Sequence, residues 1–288
     1  NARSLGAFAE TTGKRDKAES EAARQKGAWL RRFVTSHDLD VLVVLEVNGG
    51  KRHHRKLQAA LRQDGYELRV MPGSGKHPRN GIAVVSKRST VRLDGVRRLW
   101  RRVAGIQFQH RTDGGSYAIA ALHGLGREAD LVSQVDAAEA WIQGRDGGLV
   151  VGDFNRVCCT AWRRGAHALT TGDKRVRQLL GPVCECCEGC EDEEVQWVRG
   201  MPCTWTRFHT SEEGWGQGTA YLDYAAALGS ESGLWSTVDT VQAEQDDSRA
   251  TEGRPLSDHV AVVWERPMKR LGGDGYRPTA VRTRGHKL

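Results

Sequence analysis

The sequence predicts an α/β fold in which two packed β-sheets carry helices on their outer faces. Short apolar runs of strand length recur along the chain, and segments with helical spacing separate only some of them. Because strands outnumber helices and alternate with them only in part, two sheets fit better than a regular β-α-β series. With 288 residues and 39% hydrophobic residues, the chain can bury a substantial core.

Helical and extended stretches follow one another along the first half of the chain. Apolar residues at spacings near 3.6 predict a helix from residue 14 to about residue 36. A basic segment over residues 51–64, closed by Gly65, predicts a second helix. Strands are predicted at residues 40–45, 66–71 and 81–86. The first strand ends at Glu46, and residues 72–79 form a basic loop rich in glycine and proline.

The second half of the chain continues with a hairpin, a helix and further strands. Residues 103–110 and 116–122 are predicted strands, and Thr112-Asp113-Gly114-Gly115 between them is a hairpin signal. A helix over residues 130–144 presents one apolar stripe and leads into a strand at residues 149–151. The remaining predicted elements are a short helix at 174–180 and strands near 204–205, 219–228, 235–241 and 260–264.

Charge is distributed unevenly over a chain whose net charge is +7. Residues 267–288 form a basic, glycine-containing linker or tail, whereas residues 182–198 carry six acids and no Lys or Arg. The remaining body therefore has a positive surplus, which favours a polyanionic partner. No apolar run approaches the roughly 20 residues that a membrane span needs, so a membrane partner is not expected.

The seven cysteines are an odd number, and four of them lie between Cys184 and Cys190. Cysteines this close together make a poor long-range disulfide framework, so a reducing intracellular compartment, nuclear or cytoplasmic, is expected. Binding of Zn²⁺ is the alternative for this cluster, although Cys-x-Cys-Cys-x-x-Cys leaves little chain to wrap a tetrahedral ion.

The stretch Leu149-Val150-Val151-Gly152-Asp153-Phe154-Asn155 has the form of a strand that ends in an active site. The period-2 geometry of a strand places Asp153 and Asn155 on one face of its end. The carboxylate can then take the proton of a water molecule, while the carboxamide orients the water or a phosphate oxygen. The alternative is a turn in which both side chains hydrogen-bond their own backbone.

Other polar residues also follow predicted strands, and their shared placement is the functional signal. The set consists of Glu46, His123, Asp153, Asn155, Asp223, Asp258 and His259. Each residue alone is ordinary, but acids and histidines without cysteine suit a hard divalent cation with oxygen ligands. Mg²⁺ or Mn²⁺ is therefore the expected cofactor, and phosphoryl chemistry the expected reaction.

Three motifs in order resemble the endonuclease/exonuclease/phosphatase superfamily, which includes abasic-site endonucleases and pancreatic-type DNases. They are Gly152-Asp153-Phe154-Asn155, Leu222-Asp223-Tyr224 and Ser257-Asp258-His259. Further features occur in the order found in the family. Glu46, the strand at residues 81–86 and His123 precede the first motif, and Thr204-Trp205 lies between the first and the second. The resemblance covers about residues 1–265. It implies a DNase-like four-layer sandwich of two mixed β-sheets flanked by helices.

The resemblance also implies a metal site and a substrate cleft. Glu46 is the expected metal ligand, with Asn1 and Asp258 as further or water-mediated ligands. The expected substrate-binding residues are Asn80, Trp205 and Trp215, and core packing is the alternative for Trp205. One departure from the family is Leu45, which stands where the family usually has glutamine before the metal-binding glutamate.

The catalytic roles follow from the same resemblance, position by position. Asp153 activates or aligns the attacking water, and Asn155 helps to hold it. His259 contacts the scissile phosphate and is oriented by Asp223, while His123 contacts the phosphate or assists the leaving oxygen. In-line attack then leaves 5′-phosphate and 3′-hydroxyl ends.

Within the superfamily, Asn1-Ala-Arg-Ser-Leu5 is similar to the start of endonuclease domains that precede reverse transcriptase in non-LTR retroelements. This similarity implies a DNA endonuclease, with RNA as the alternative substrate, that is covalently linked to a downstream domain such as a reverse transcriptase. It also implies that the first strand lies upstream of Asn1. We therefore expect a piece of a longer protein, with an enzyme domain at residues 1–266 and a tail at 267–288.

Other functions on the same fold remain open. An abasic-site endonuclease and an RNA exonuclease are the nearest alternatives. Inositol phosphatases are disfavoured because Tyr221-Leu-Asp-Tyr-Ala lacks their Trp-Cys-Asp-Arg pattern. A further alternative is a catalytically silent module that binds nucleic acid.

Overall fold

The structure is a computed structural model of the chain. It describes residues 27–47, 51–73, 81–145, 147–156, 170–180, 205–211, 214–220, 223–229, 234–238 and 261–265. The Cys-rich acidic segment at 182–198 and the tail at 267–288 lie outside these ranges. In the described part of the chain, no helix combines the length and the hydropathy of a membrane-spanning segment.

Strands dominate the described residues. In chain order they are β1 (Val41–Val47), β2 (Tyr66–Met71), β3 (Gly81–Lys87), β4 (Val91–Trp100), β5 (Val103–His110), β6 (Ser116–His123), β7 (Gly147–Asp153), β8 (Trp205–Ser211), β9 (Gly214–Ala220), β10 (Asp223–Gly229), β11 (Leu234–Val238) and β12 (Ala261–Glu265). The helices are α1 (27–36), α2 (Lys51–Gln63), α3 (Glu128–Gln143) and α4 (Thr171–Leu180).

Two of the sheets form the body of the molecule. The first sheet has the order β1-β3-β2, and its described strands pair antiparallel. The second sheet has the order β10-β7-β6-β5-β4 and is mixed, because β6 and β7 are parallel while the other neighbours are antiparallel. Two further strand pairs, β8-β9 and β11-β12, follow in the last part of the chain.

Three apolar clusters hold four layers together. Leu30 of α1 and Leu61 of α2 pack on the first sheet, and Leu131 of α3 packs on the second. Between the sheets, Ile82 of β3 and Ile106 of β5 belong to one shared cluster. Each such fully buried side chain stabilises the fold by about 1.5–3 kcal/mol relative to an exposed one. This arrangement confirms the predicted sandwich of two sheets flanked by helices.

The parallel pair β6-β7 determines where the polar strand ends meet. Parallel strands need a crossover connection, and α3 supplies it. Both strands therefore finish at the same edge of the second sheet, where His123 lies opposite Asp153. Gly152 makes this approach possible, because its φ is 147° and an added Cβ would lie 1.9 Å from the carbonyl oxygen of Leu122.

Two predicted strands were wrong in detail, and a third strand was missed. The predicted strand at 40–45 continues to Val47, so Glu46 lies inside β1 at a register irregularity rather than after the strand. The single strand predicted over 219–228 is two strands, and Asp223 begins the second of them. The strand β4 was missed because its many arginines and the irregularity between Leu93 and Gly95 hide the period-2 alternation.

Candidate active site

The candidate site lies at the end of β6 and β7 and faces the end of β1. The Nε2 atom of His123 is 3.3 Å from Oε1 of Glu46 and 3.9 Å from Oδ2 of Asp153. His123 and Asp153 are buried, whereas the side chain of Glu46 is partly exposed. Two carboxylates and an imidazole from two different sheets therefore meet at one point that remains open to solvent on the Glu46 side.

Backbone strain is concentrated around this point. Four described residues other than glycine have positive φ, and three of them are Glu46 (55°), Arg102 (56°) and Asn155 (51°). Asparagine tolerates this left-handed region, but glutamate and arginine rarely adopt it. Such conformations cost about 1–3 kcal/mol each and are found where the surrounding structure over-determines them, often at functional sites.

The Asp153 carboxylate has two different surroundings. Its Oδ1 accepts a hydrogen bond of 2.8 Å from the backbone N–H of Asn155, while Oδ2 faces His123. The Asn155 amide in turn donates to the carbonyl oxygen of Gly124 at 3.1 Å. The turn that the sequence offered as an alternative to a catalytic pair is therefore present. It fixes the carboxylate and leaves its second oxygen directed at the site.

Gln134, in the middle of α3, connects the β4-β5 turn to the end of β6 and the loop that follows it. Its Oε1 accepts from the backbone N–H of Leu125 at 2.8 Å. Its Nε2 donates to the carbonyl oxygens of Arg101, at 2.8 Å, and His123, at 3.0 Å. The side chain is fully buried, so each of these bonds replaces one to water. The sequence reasoning missed Gln134; a glutamine between the apolar stripe residues Leu131 and Val135 was the available signal.

A second buried contact supports the residues that follow Asn155. The Arg156 guanidinium donates to the carbonyl oxygens of Asn155, at 3.3 Å, and Gly126, at 2.8 Å. Its Nε lies 3.6 Å from Oδ1 of the fully buried Asp173. Asp173 and Thr170 also exchange hydrogen bonds at the start of α4, in the manner of a capping box. The start of α4 therefore anchors the loop that carries Asn155.

Arg102 is a further residue of the site that the sequence reasoning missed. It lies in the turn between β4 and β5, and its carbonyl oxygen accepts a hydrogen bond of 3.0 Å from the backbone N–H of His123. Burial lowers the pKa of its guanidinium, while the negative charges of Glu46 and Asp153 oppose that shift. A fixed positive charge thus lies near both carboxylates. Its signal in the sequence was weak, because three other arginines precede it within five residues.

The donor set fits a hard divalent cation. Two carboxylates that converge on one point repel each other unless positive charge is nearby, and carboxylate oxygens are the ligands that Mg²⁺ prefers. Glu46 and Asp153 are the described residues that could hold such an ion. Within the described ranges, no three His, Cys, Asp or Glu side chains form a complete metal-binding group. The other two predicted ligands, Asn1 and Asp258, lie outside those ranges.

The remaining predicted site residues divide into two groups. Asp223 pairs directly with Asp153 in the register of β10 and β7, so its backbone lies beside the site. Trp205 and Trp215 lie in β8 and β9, where the structure describes the strand pairing. The residues outside the described ranges are Asn1, Asn80, Asp258 and His259. The roles of all these residues stay predictions.

The profile of the Endonuclease/Exonuclease/phosphatase family matches residues 16–259 of the chain. That range includes every predicted site residue except Asn1. A search of curated protein sequences gives no match.

The chain has a fold similar to that of several solved structures. An endonuclease/exonuclease/phosphatase family protein from Bacteroides thetaiotaomicron has a TM-score of 0.56 at 16% identity, covering 90% of this chain and 93% of its own. The 3′ phosphatase NExo from Neisseria, bound to a product DNA hairpin, has a TM-score of 0.54 at 15% identity, with coverages of 84% and 94%. TDP2 from D. rerio, complexed with a single-strand DNA product, has a TM-score of 0.52 at 12% identity, with coverages of 83% and 90%.

Proposed function

Because the chain belongs to the endonuclease/exonuclease/phosphatase family, whose members are hydrolases acting on phosphoester bonds, we propose that it is a metal-dependent DNA endonuclease. The observation that carries this proposal is the convergence of Glu46, His123 and Asp153 where the ends of β6 and β7 face the end of β1. Enzymes of this family generally use divalent metals such as Mg²⁺, and the oxygen donors of Glu46 and Asp153 suit that ion.

Each residue of the cluster has a proposed task. Glu46 holds the metal, and Asp153 takes a proton from the attacking water or aligns it through Oδ2. Asn155 holds the turn that orients Asp153, and Arg102 offsets the negative charge of the two carboxylates. His123 binds a phosphate oxygen from its position between them. When bound, Mg²⁺ would neutralise the charge that develops on the phosphate.

DNA is the substrate that the comparisons and the charge favour. TDP2 and NExo, which have the same fold, were each solved with a DNA product. The net charge of +7 suits a polyanion. The retroelement type rests on the opening segment Asn1-Ala-Arg-Ser-Leu5. In this proposal the enzyme nicks one strand and leaves a 3′-hydroxyl that a linked reverse transcriptase uses as primer.

The test is incubation of the protein with supercoiled plasmid. We expect Mg²⁺ to support conversion to open circle, and EDTA to abolish it. A DNA polymerase should then extend the nicks, because the ends carry 3′-hydroxyl groups. For a variant of the site such as Asp153→Asn, Arg92→Ala is the surface control. Arg92 is exposed at the end of β4 that is remote from the site, so its loss should leave nicking unchanged. Intact plasmid under every metal condition would contradict the proposal.

A parallel assay separates the related activities. The same protein is given an oligonucleotide duplex with one abasic position and a single-stranded RNA. Faster cleavage of the abasic duplex than of the plasmid would replace the retroelement assignment by a repair enzyme. Stepwise shortening of the RNA would indicate an exonuclease.

A further inference from the structure

The hairpin formed by β4 and β5 exposes an unusual tip, with the sequence Arg97-Arg98-Leu99-Trp100-Arg101-Arg102. Trp100 has 41% of its surface exposed, and within the described residues it is the one large hydrophobic side chain that is exposed. A tryptophan gains more from burial than most side chains, so an exposed indole amid arginines suggests a surface that binds something.

This tip lies close to the candidate site. Trp100 pairs with Val103, Val103 with Leu122, and Leu122 with Gly152 across four neighbouring strands. At a strand spacing of about 4.8 Å, three steps place the Trp100 backbone roughly 14 Å from that of Gly152. His123 and Asp153 are the next residues along β6 and β7. A bound strand that reaches the site can therefore also reach Trp100 within a few nucleotides.

The tip is anchored on both sides by its own arginines. The guanidinium of Arg97 lies 3.9 Å from the ring centroid of Trp141 in α3, on the outer face of the second sheet. Arg98 donates to the carbonyl oxygen of Pro72, which follows β2 of the first sheet. Because these two contacts hold the hairpin from opposite directions, Trp100 is carried on a fixed support. Arg101 stays exposed beside it.

We propose that Trp100 is a stacking platform for an unpaired base of the substrate, with Arg101 on an adjacent phosphate. This inference rests on the proposed nuclease function and narrows its substrate to nucleic acid that is single-stranded, or opened, beside the cleaved bond. Bases within a duplex already stack on their neighbours, so an indole at this position selects for a strand with exposed base faces. The arginine adds salt-dependent, sequence-independent affinity.

Binding is measured without cleavage, in EDTA, by the fluorescence anisotropy of a labelled oligonucleotide. We expect Trp100→Ala to weaken binding of the single strand about 10-fold, and Trp100→Phe to retain most of the affinity. The affinity for the blunt duplex of the same sequence should change less than about 2-fold, because its internal bases are already stacked on both faces. Arg92→Ala, at the other end of β4, is the matched control. Arg101→Ala should lower the affinity for both the single strand and the duplex, and it should make both affinities less dependent on salt concentration.

An abasic scan then tests the stacking itself. Removing one base at a time should weaken binding to the unmodified protein at one or two positions. In Trp100→Ala the same removals should cause no further loss, since the partner ring is already gone. The stacking site would be overturned if Trp100→Ala lowered the affinity for single strand and duplex equally. It would also be overturned if the losses of affinity from Trp100→Ala and from base removal were additive. The same conclusion would follow if the affinity of the unmodified protein did not change on removal of any base. This last test does not depend on the folding of a variant.

The outcome also separates this inference from the function on which it rests. Coupling between Trp100 and one base, with no cleavage of any nucleic acid in Mg²⁺, would overturn the nuclease and keep the stacking site. Cleavage without coupling would overturn the stacking site alone. If Trp100→Ala binds every nucleic acid with the affinity of the unmodified protein, the stacking site is overturned, and a protein partner becomes the alternative for the exposed indole.

Discussion

The two sheets contribute to the candidate site in different ways. The second sheet supplies His123 and Asp153 from paired strands that end in register, and hydrogen bonds from Gln134 and Asn155 hold them. The first sheet supplies Glu46 from an irregular part of β1, with positive φ. The half of the site from the first sheet is thus strained at Glu46 itself. The half from the second sheet holds His123 and Asp153 in regular, paired strands and is strained only at the flanking residues Arg102 and Asn155. We expect a substitution to raise stability while it lowers activity only at the strained position of the first sheet.

The largest effect is expected for Asp153→Asn. The substitution keeps an oxygen for the hydrogen bond from Asn155 but removes the negative charge that faces His123. We expect the rate of plasmid nicking to fall about 1,000-fold and the free energy of unfolding to change by less than about 1 kcal/mol. Kinetics in Mg²⁺ and denaturant unfolding measure the two quantities. A variant with more than a tenth of the original activity would remove Asp153 from the catalytic set.

Glu46→Gly tests the strained half. Glycine adopts a φ of 55° without penalty, so the substitution should raise the free energy of unfolding by up to about 1 kcal/mol. The same change removes a proposed metal ligand, and activity should fall about 100-fold. Glu46→Gln is the matched control, because it keeps the strain and loses the charge. If both variants lose stability equally, the backbone of β1 is not strained in the way described here.

Gln134→Leu tests the supported half and has the smallest expected effect on activity. It leaves one N–H and two carbonyl groups without their amide partner, which should cost about 1–3 kcal/mol of stability. The loops around His123 would then be less well positioned, and nicking should slow about 10-fold. Ser133→Ala, at the partly buried residue before Gln134, removes only a hydrogen bond to the carbonyl oxygen of Ala129 and should change stability by less than about 0.5 kcal/mol. Full activity with normal stability would contradict the role of Gln134.

Much of the fold could be predicted because burial leaves a periodic signal. The central runs of β1, β3 and β7, at residues 41–45, 82–85 and 149–151, are apolar without interruption, as is typical of strands covered on both faces. Strand β4 was not predictable in this way, because it lies at an edge of its sheet and exposes arginines along its length. An edge strand contacts solvent as well as the core, so its sequence of polar and apolar residues does not alternate regularly.

The acidic and histidine members of the site were also predictable, since each ends or interrupts an apolar run. Asp153 and His123 needed only the position of their strands. Arg102 and Gln134 could not be found in the same way. The importance of Arg102 depends on a turn that brings β5 beside β6, and that of Gln134 on which loops lie above α3. Both are properties of chain crossings between distant segments, which no local pattern records.

Two glycines beside His123 and Asp153 leave no room for a side chain. A side chain at Gly124 would place its Cβ 2.2 Å from the backbone oxygen of Phe154, and one at Gly152 would collide with Leu122. A residue other than glycine at either position would have to displace the neighbouring backbone. At these two positions the floor of the candidate site is therefore backbone packed on backbone, and its shape can be changed only from neighbouring positions.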